Sequence, residues 1–219
     1  SEPESRRTAV VPDPPRHRTW IVSSTPEPDA HGQDLPAIVA KAMEGDTIKL
    51  RPGVYSGGFT IARGLKIVGE TPTGPNLTCI QAVEREVMTI RAKGVSLENV
   101  QILQHANTTG TGVSIAGEAE VEMTHCVVQA GGTVGIDLTG AAVLRASKSQ
   151  FTGSIGFSLR ADHQSRVELT ECEFTDSISA MKLAGGARAE LRGCKFMRTG
   201  INDGYAIHAV RDGTRALGL

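Results

Sequence analysis

The sequence is poor in aromatic residues, with five Phe, two Tyr and one Trp among 219 positions. An interior built from large rings is therefore excluded. It also lacks an excess of either charge: 23 Lys and Arg stand against 24 Asp and Glu, a formal net charge of −1. That balance excludes the strongly basic surface on which general nucleic-acid binding rests. No apolar run is long enough to span a bilayer and no signal peptide precedes Ser1, so no membrane partner is expected. Cysteine is scarce and unpaired in its spacing. Cys79, Cys126, Cys172 and Cys194 form no CxxC pair, and the two closest lie 22 residues apart. Such spacing excludes a disulfide scaffold and a structural zinc site. The expectation is buried, reduced thiols, which favour a reducing, cytoplasmic compartment.

What the chain does hold is glycine, 25 residues of it, set among Val, Ile, Leu and Thr. That mixture suits an interior of repeated small aliphatic layers. The length fits one domain with an appendage. Residues 1–18 are rich in Pro and Arg and have no apolar period, the character of a disordered linker. The chain is accordingly expected to be a domain linked to further domains in a larger protein. From Thr19 it organises. Trp20-Ile21-Val22 is a short strand candidate. Leu35, Ile38, Val39 and Ala42 then make a helical stripe, with Asp34 placed to cap it, Pro36 in its first turn and Gly45 at its end. The spacing predicts a helix over 34–44 that closes the end of a sheet, so residues 19–75 read as a cap and a first coil.

Beyond it, over residues 76–219, the apolar period is two and strands recur at a longer interval. Val121–Val128, Val167–Phe174 and Ala189–Phe196 align on a shared small residue, Cys126, Cys172 and Cys194, with Ser149 in the same place in Leu144–Phe151. With Val95–Ile102 leading, the units start at 95, 121, 144, 167 and 189, intervals of 26, 23, 23 and 22. Each unit carries an earlier strand as well, at Met88-Thr89-Ile90, Val113-Ser114-Ile115, Ile136-Asp137-Leu138, Phe157-Ser158-Leu159, Met181-Lys182-Leu183 and Ile207-His208-Ala209. Three short strands per repeat and no helix between them describe the coils of a parallel β-helix, each pairing with the next at about 4.8 Å.

The opening Gly45-Asp46-Thr47-Ile48-Lys49-Leu50-Arg51-Pro52-Gly53-Val54-Tyr55, followed by Phe59-Thr60-Ile61 and Leu65-Lys66-Ile67-Val68-Gly69, resembles the start of right-handed parallel β-helix proteins of the pectin-lyase-like superfamily. The repeats are similar to those of NosD-like proteins and to the carbohydrate-binding and sugar-hydrolase repeats of F-box-only protein 11. The resemblance covers about residues 19–219. It implies an all-β, right-handed parallel β-helix solenoid of about six to seven coils with a short N-terminal capping helix. It implies no single function, because this superfamily holds lyases, hydrolases, epimerases and non-catalytic scaffolds.

Polysaccharide chemistry on such a fold would use an outward column of side chains. Hydrolysis needs two carboxylates at a defined separation, and lyase chemistry needs a base beside cationic neutralisation of a uronate. The first-strand column reads Thr89, Ser114, Asp137, Ser158, Lys182, His208. The second reads Ser96, Glu122, Arg145, Glu168, Glu190, and the third Gln101, Val127, Gln150, Glu173, Lys195. Only the first combines an acid, a base and an imidazole with small hydroxyls. Asp137, Lys182, His208, Ser114 and Ser158 are therefore the candidate binding residues. The candidate catalytic set is Asp137, Lys182, Arg160, Asp162 and His163, with Asp162-His163 as an orienter and base in a turn. Asp137 and Lys182, two coils apart, stand about 10 Å from each other, too far for a retaining pair. The superfamily's polygalacturonase, epimerase and pectate-lyase signatures are missing: there is no Asp-Asp, no Arg-Ile-Lys, no Asp-Pro-His and no Arg-x-Pro-x-x-Arg. His31-Gly32 lies ahead of the cap helix.

Two functional classes follow. The favoured one is a non-catalytic binding or scaffold module that recognises a protein partner or a polysaccharide on an outward strand face, with no cofactor and no metal. The alternative is a polysaccharide-modifying enzyme, a lyase, hydrolase or epimerase. Unpaired strand edges at the last coil also permit an end-to-end dimer.

Overall fold

The computed structural model describes residues 17–70, 78–83, 86–105, 110–199, 204–210 and 215–217. Residues 1–16, most of the expected linker, lie outside the described residues. The described residues form a parallel solenoid of three sheets. Sheet I holds seven strands: Phe59–Ile61, Met88–Ile90, Thr111–Ile115, Val134–Leu138, Phe157–Ala161, Ser179–Leu183 and Ile207–Ala209. Sheet II holds nine: Thr19–Val22, Thr47–Leu50, Lys66–Gly69, Val95–Glu98, Glu120–Thr124, Val143–Ser147, Arg166–Thr170, Arg188–Arg192 and Arg215–Leu217. Sheet III holds Gly53–Ser56, Thr78–Ala82, Gln101–Gln104, Val127–Ala130, Gln150–Thr152, Glu173–Thr175 and Lys195–Met197. The chain visits the sheets in rotation, and each strand pairs in parallel with its counterpart one coil on.

Alternation along these strands fixes what fills the lumen. In sheet II the inward residues Ile48, Ile67, Leu97, Met123, Ala146, Leu169 and Leu191 stack in register, all buried. Sheet I supplies Ile61, Ile90, Ile115, Leu138, Ala161 and Leu183. In sheet III, Phe151, Phe174 and Phe196 stack with ring centroids 4.9 and 5.0 Å apart. The few rings of the sequence are thus spent partly on one internal column. Each fully buried Leu, Ile or Phe contributes about 1.5–3 kcal/mol of transfer free energy.

The corners are set by left-handed residues. Between sheets II and III, Asn99, His125, Lys148, Glu171 and Gly193 all have φ between 49° and 62°. This turns the following residue inward, and Cys126, Ser149 and Cys172 are buried there while Cys194 is half-buried. The Cys126 N–H donates to Ser149 Oγ at 3.1 Å. Burial pushes the Cys126 and Cys172 thiols up to about 11, so both are protonated, unreactive packing groups.

The cap helix runs from Leu35 to Lys41, with the Asp34 side chain accepting from Ala37 N at 3.1 Å. It buries Leu35, Ile38 and Val39. It is shorter than the expected 34–44, and Gly45 does not end it. Ala42 is extended, with ψ 144°, and is fully buried. Met43 N then donates to Asp46 Oδ2 at 2.9 Å. The pull of this buried carboxylate, which also accepts from Trp20 Nε1 at 2.9 Å and Arg18 N at 2.8 Å, takes the chain out of the helix. Gly45, at φ 81°, makes the later turn into Thr47–Leu50. Among the described residues no helix is long and apolar enough to cross a membrane.

Candidate functional site

Strand pairing assigns the outward column of sheet I as Thr60, Thr89, Ser114, Asp137, Arg160, Lys182 and His208. Two of the expected positions therefore change. Ser158 is not outward: it is 1% exposed and its hydroxyl lies 2.6 Å from that of Ser177. Arg160 takes its place in the column, within the strand Phe157–Ala161. The cause is register. Leu159, not Phe157, pairs with Ile136, and Arg160 pairs with Asp137.

The pairing has a chemical consequence. Arg160 Nε donates to Asp137 Oδ1 at 2.8 Å and Nη2 to Oδ2 at 2.6 Å, a two-point fork. Hydrogen bonding to Asp137 holds the Arg160 guanidinium above its ordinary pKa against the opposing effect of burial. Both carboxylate oxygens are taken, and the Asp137 side chain is only 13% exposed. No second carboxylate stands in the column. Asp162 and His163 sit at the next corner. The Asp162 carboxylate accepts from the His163 backbone N–H at 2.7 Å, whereas the imidazole Nδ1 is 3.8 Å away. That is too long for the hydrogen bond an orienting acid makes to a base.

The structure brings two rings to the column that the sequence reading missed. Lys182 Nζ lies over the Phe157 ring, 5.5 Å from its centroid, within cation–π range. On the following coil Tyr205 stacks on His208 at 4.7 Å and 25°, with Tyr205 55% exposed. The Asp137–Arg160 fork, the Phe157–Lys182 pair and the Tyr205–His208 pair thus follow one another along sheet I. From Asp137 to His208 the strip spans three strand spacings, about 14 Å. Scarcity was the available signal: in a chain with so few rings, Phe157 and Tyr205 near consecutive column positions merit attention.

The other faces differ. Sheet II carries interlocked ion pairs, with Arg145 reaching Glu120 and Glu168, and Arg166 reaching Glu168 and Glu190. Exposed pairs of this kind contribute little individually. Sheet III is largely uncharged until Lys195 meets Glu173 at 3.1 Å. Among the described residues no three His, Cys, Asp or Glu side chains come together to hold a metal ion.

Residues 76–216 match the family described as right handed beta helix region. No curated protein sequence matches the chain. Among solved structures it is similar to the pectate lyase Pel9A, at 12% identity and TM-score 0.65, covering 84% of this chain and 55% of that one. The chain therefore spans little more than half the length of that lyase. It is also similar to pectin methylesterase PemA from Erwinia chrysanthemi, at 11% identity and TM-score 0.60, covering 91% and 92%. Pectin methylesterase from carrot follows at 9% identity and TM-score 0.54, covering 98% and 91%. At these identities the likeness shows the fold, which is pectin-lyase-like.

Proposed function

The chain belongs to the right-handed β-helix family, and from that premise we propose that it is a non-catalytic module binding an acidic polysaccharide along the outward face of sheet I. The observation that carries this reading is the strip formed by the Phe157–Lys182 ring-and-ammonium pair and the Tyr205–His208 ring stack beside the Asp137–Arg160 fork. An exposed aromatic face accepts the apolar face of a sugar ring, and ammonium and guanidinium groups meet uronate carboxylates. The coil spacing of about 4.8 Å repeats such contacts along a linear polymer. The names of the similar structures, a pectate lyase and pectin methylesterases, support an acidic polysaccharide as the class of ligand.

The same geometry supports binding without turnover. The one carboxylate of the column is held by Arg160 at both oxygens, which leaves no free carboxylate and no second one for two-carboxylate hydrolysis. Affinity electrophoresis through gels containing polygalacturonate or a neutral glucan tests the reading. Retardation is expected on the acidic polymer alone, with Tyr205→Ala and Lys182→Gln each weakening it about tenfold. Equal migration in both gels, or retardation that both variants retain, contradicts it.

A further inference from the structure

Away from this strip, the corner between sheets I and II repeats a left-handed residue on successive coils: Gly94, Gly117, Gly140, His163 and Gly185. In two coils the residue after it donates its N–H to the coil before, Ala141 N to Gly117 O at 2.7 Å and Gln164 N to Gly140 O at 3.0 Å. The next coil breaks the pattern. Gly185 and Gly186 are both left-handed, at φ 58° and 88°, and close a tight turn through Ala187 N to Ala184 O at 3.0 Å. Gly186 N–H has no partner among the described residues.

Beside this turn lies a notch of about 640 Å³, lined by Gln164, Arg166, Gly185, Gly186 and Arg188. Its charged groups are both arginines. Arg166 and Arg188 are paired across adjacent strands of sheet II, a like-charge pairing that costs stability. Arg166 is compensated by Glu168 at 2.9 Å and Glu190 at 3.3 Å, while Arg188 has no ion-pair partner among the described residues. An unpaired guanidinium, a free backbone N–H and a side-chain amide around an open volume form a receptor for an oxyanion.

We propose that this notch is a second binding site, separate from the sheet I strip, and that it takes a phosphate group. Arg188 supplies the fork and Gly186 the backbone donor. Gln164 adds a side-chain amide, and Arg166, already paired with Glu168 and Glu190, borders the notch. A tetrahedral oxyanion presents enough oxygens to meet the Arg188 fork, the Gly186 N–H and the Gln164 amide at once.

The test is amide-resolved NMR titration of the full chain at low ionic strength with inorganic phosphate and, separately, with glucose 6-phosphate. A saturable movement of the Gly186 amide is expected. Response to both probes assigns the notch to an esterified phosphate, and response to inorganic phosphate alone assigns it to the free ion. Arg188→Gln, at an exposed position, is expected to melt like the parent chain and to weaken binding at least about tenfold, while Lys148→Gln leaves it unchanged. No saturable movement with either probe, or parental affinity in Arg188→Gln, overturns the proposal.

Discussion

At position 163 a histidine holds the left-handed backbone that glycine holds at Gly94, Gly117, Gly140 and Gly185, with φ 59°. A side chain there costs about 1–2 kcal/mol, and glycine returns about 0.5–1 through the freedom it gains when unfolded. His163→Gly is therefore expected to raise stability by roughly 0.5–1 kcal/mol, read as a higher denaturant midpoint; a lower midpoint would assign the imidazole a structural contact. Gly185→Ala should act in the opposite sense, because its Cβ would fall 2.3 Å from Asp162 Oδ1 and 2.8 Å from His163 N. The same coil explains what was illegible in the sequence. Phe157-Ser158-Leu159 and Leu159-Arg160-Ala161 both satisfy apolar alternation, and Ser158 mimics Ser114, so alternation alone chose the wrong triplet. The 23-residue separation of Asp137 and Arg160 selects the right one. The two ring pairs were hidden for a different reason: Phe157–Lys182 and Tyr205–His208 depend on side-chain reach across and along coils, which a column of single residues does not express.

Among the elements, the cap carries a pH dependence. Burial alone would push the Asp46 carboxyl up, but donors from Met43, Trp20 and Arg18 outweigh it and hold the group below its ordinary value. A carboxyl depressed in the folded state contributes stability above its unfolded pKa, near 4, and loses it as pH falls through the folded value. Melting temperature should therefore drop on acidification below about pH 4, and Asp46→Asn should flatten that limb. An unchanged acid limb in the variant would remove Asp46 from the account. In sheet III the phenylalanine stack grades from interior to rim, with Phe174 fully buried and Phe196 half-buried. Phe174→Ala is expected to cost about 3–5 kcal/mol and Phe196→Ala markedly less; equal losses in urea denaturation would contradict the placement of Phe196 at the edge. The repeat, the inward columns and the cap stripe were legible because burial imposes a strict period. The helix end was not, because it depends on the Asp46 carboxylate, which is fixed by the sequence-distant Arg18 and Trp20.

For the whole molecule, stacking makes one architecture serve two demands. Inward columns provide a continuous apolar lumen, and the same register sets outward residues at a fixed spacing. On sheet II that spacing yields ion pairs that neutralise one another. On sheet I it ties Asp137 to Arg160 and leaves outward Lys182, lying over the half-buried Phe157 ring, and His208 with the exposed Tyr205. The central claim is that this face holds an acidic polysaccharide and leaves it unaltered. The most direct measurement is calorimetric titration of the chain with a defined oligogalacturonide, followed by mass spectrometry of the recovered sugar. Saturable heat with the oligosaccharide recovered at its original mass is the predicted result. Shortened or unsaturated products, or no heat at all, would contradict it.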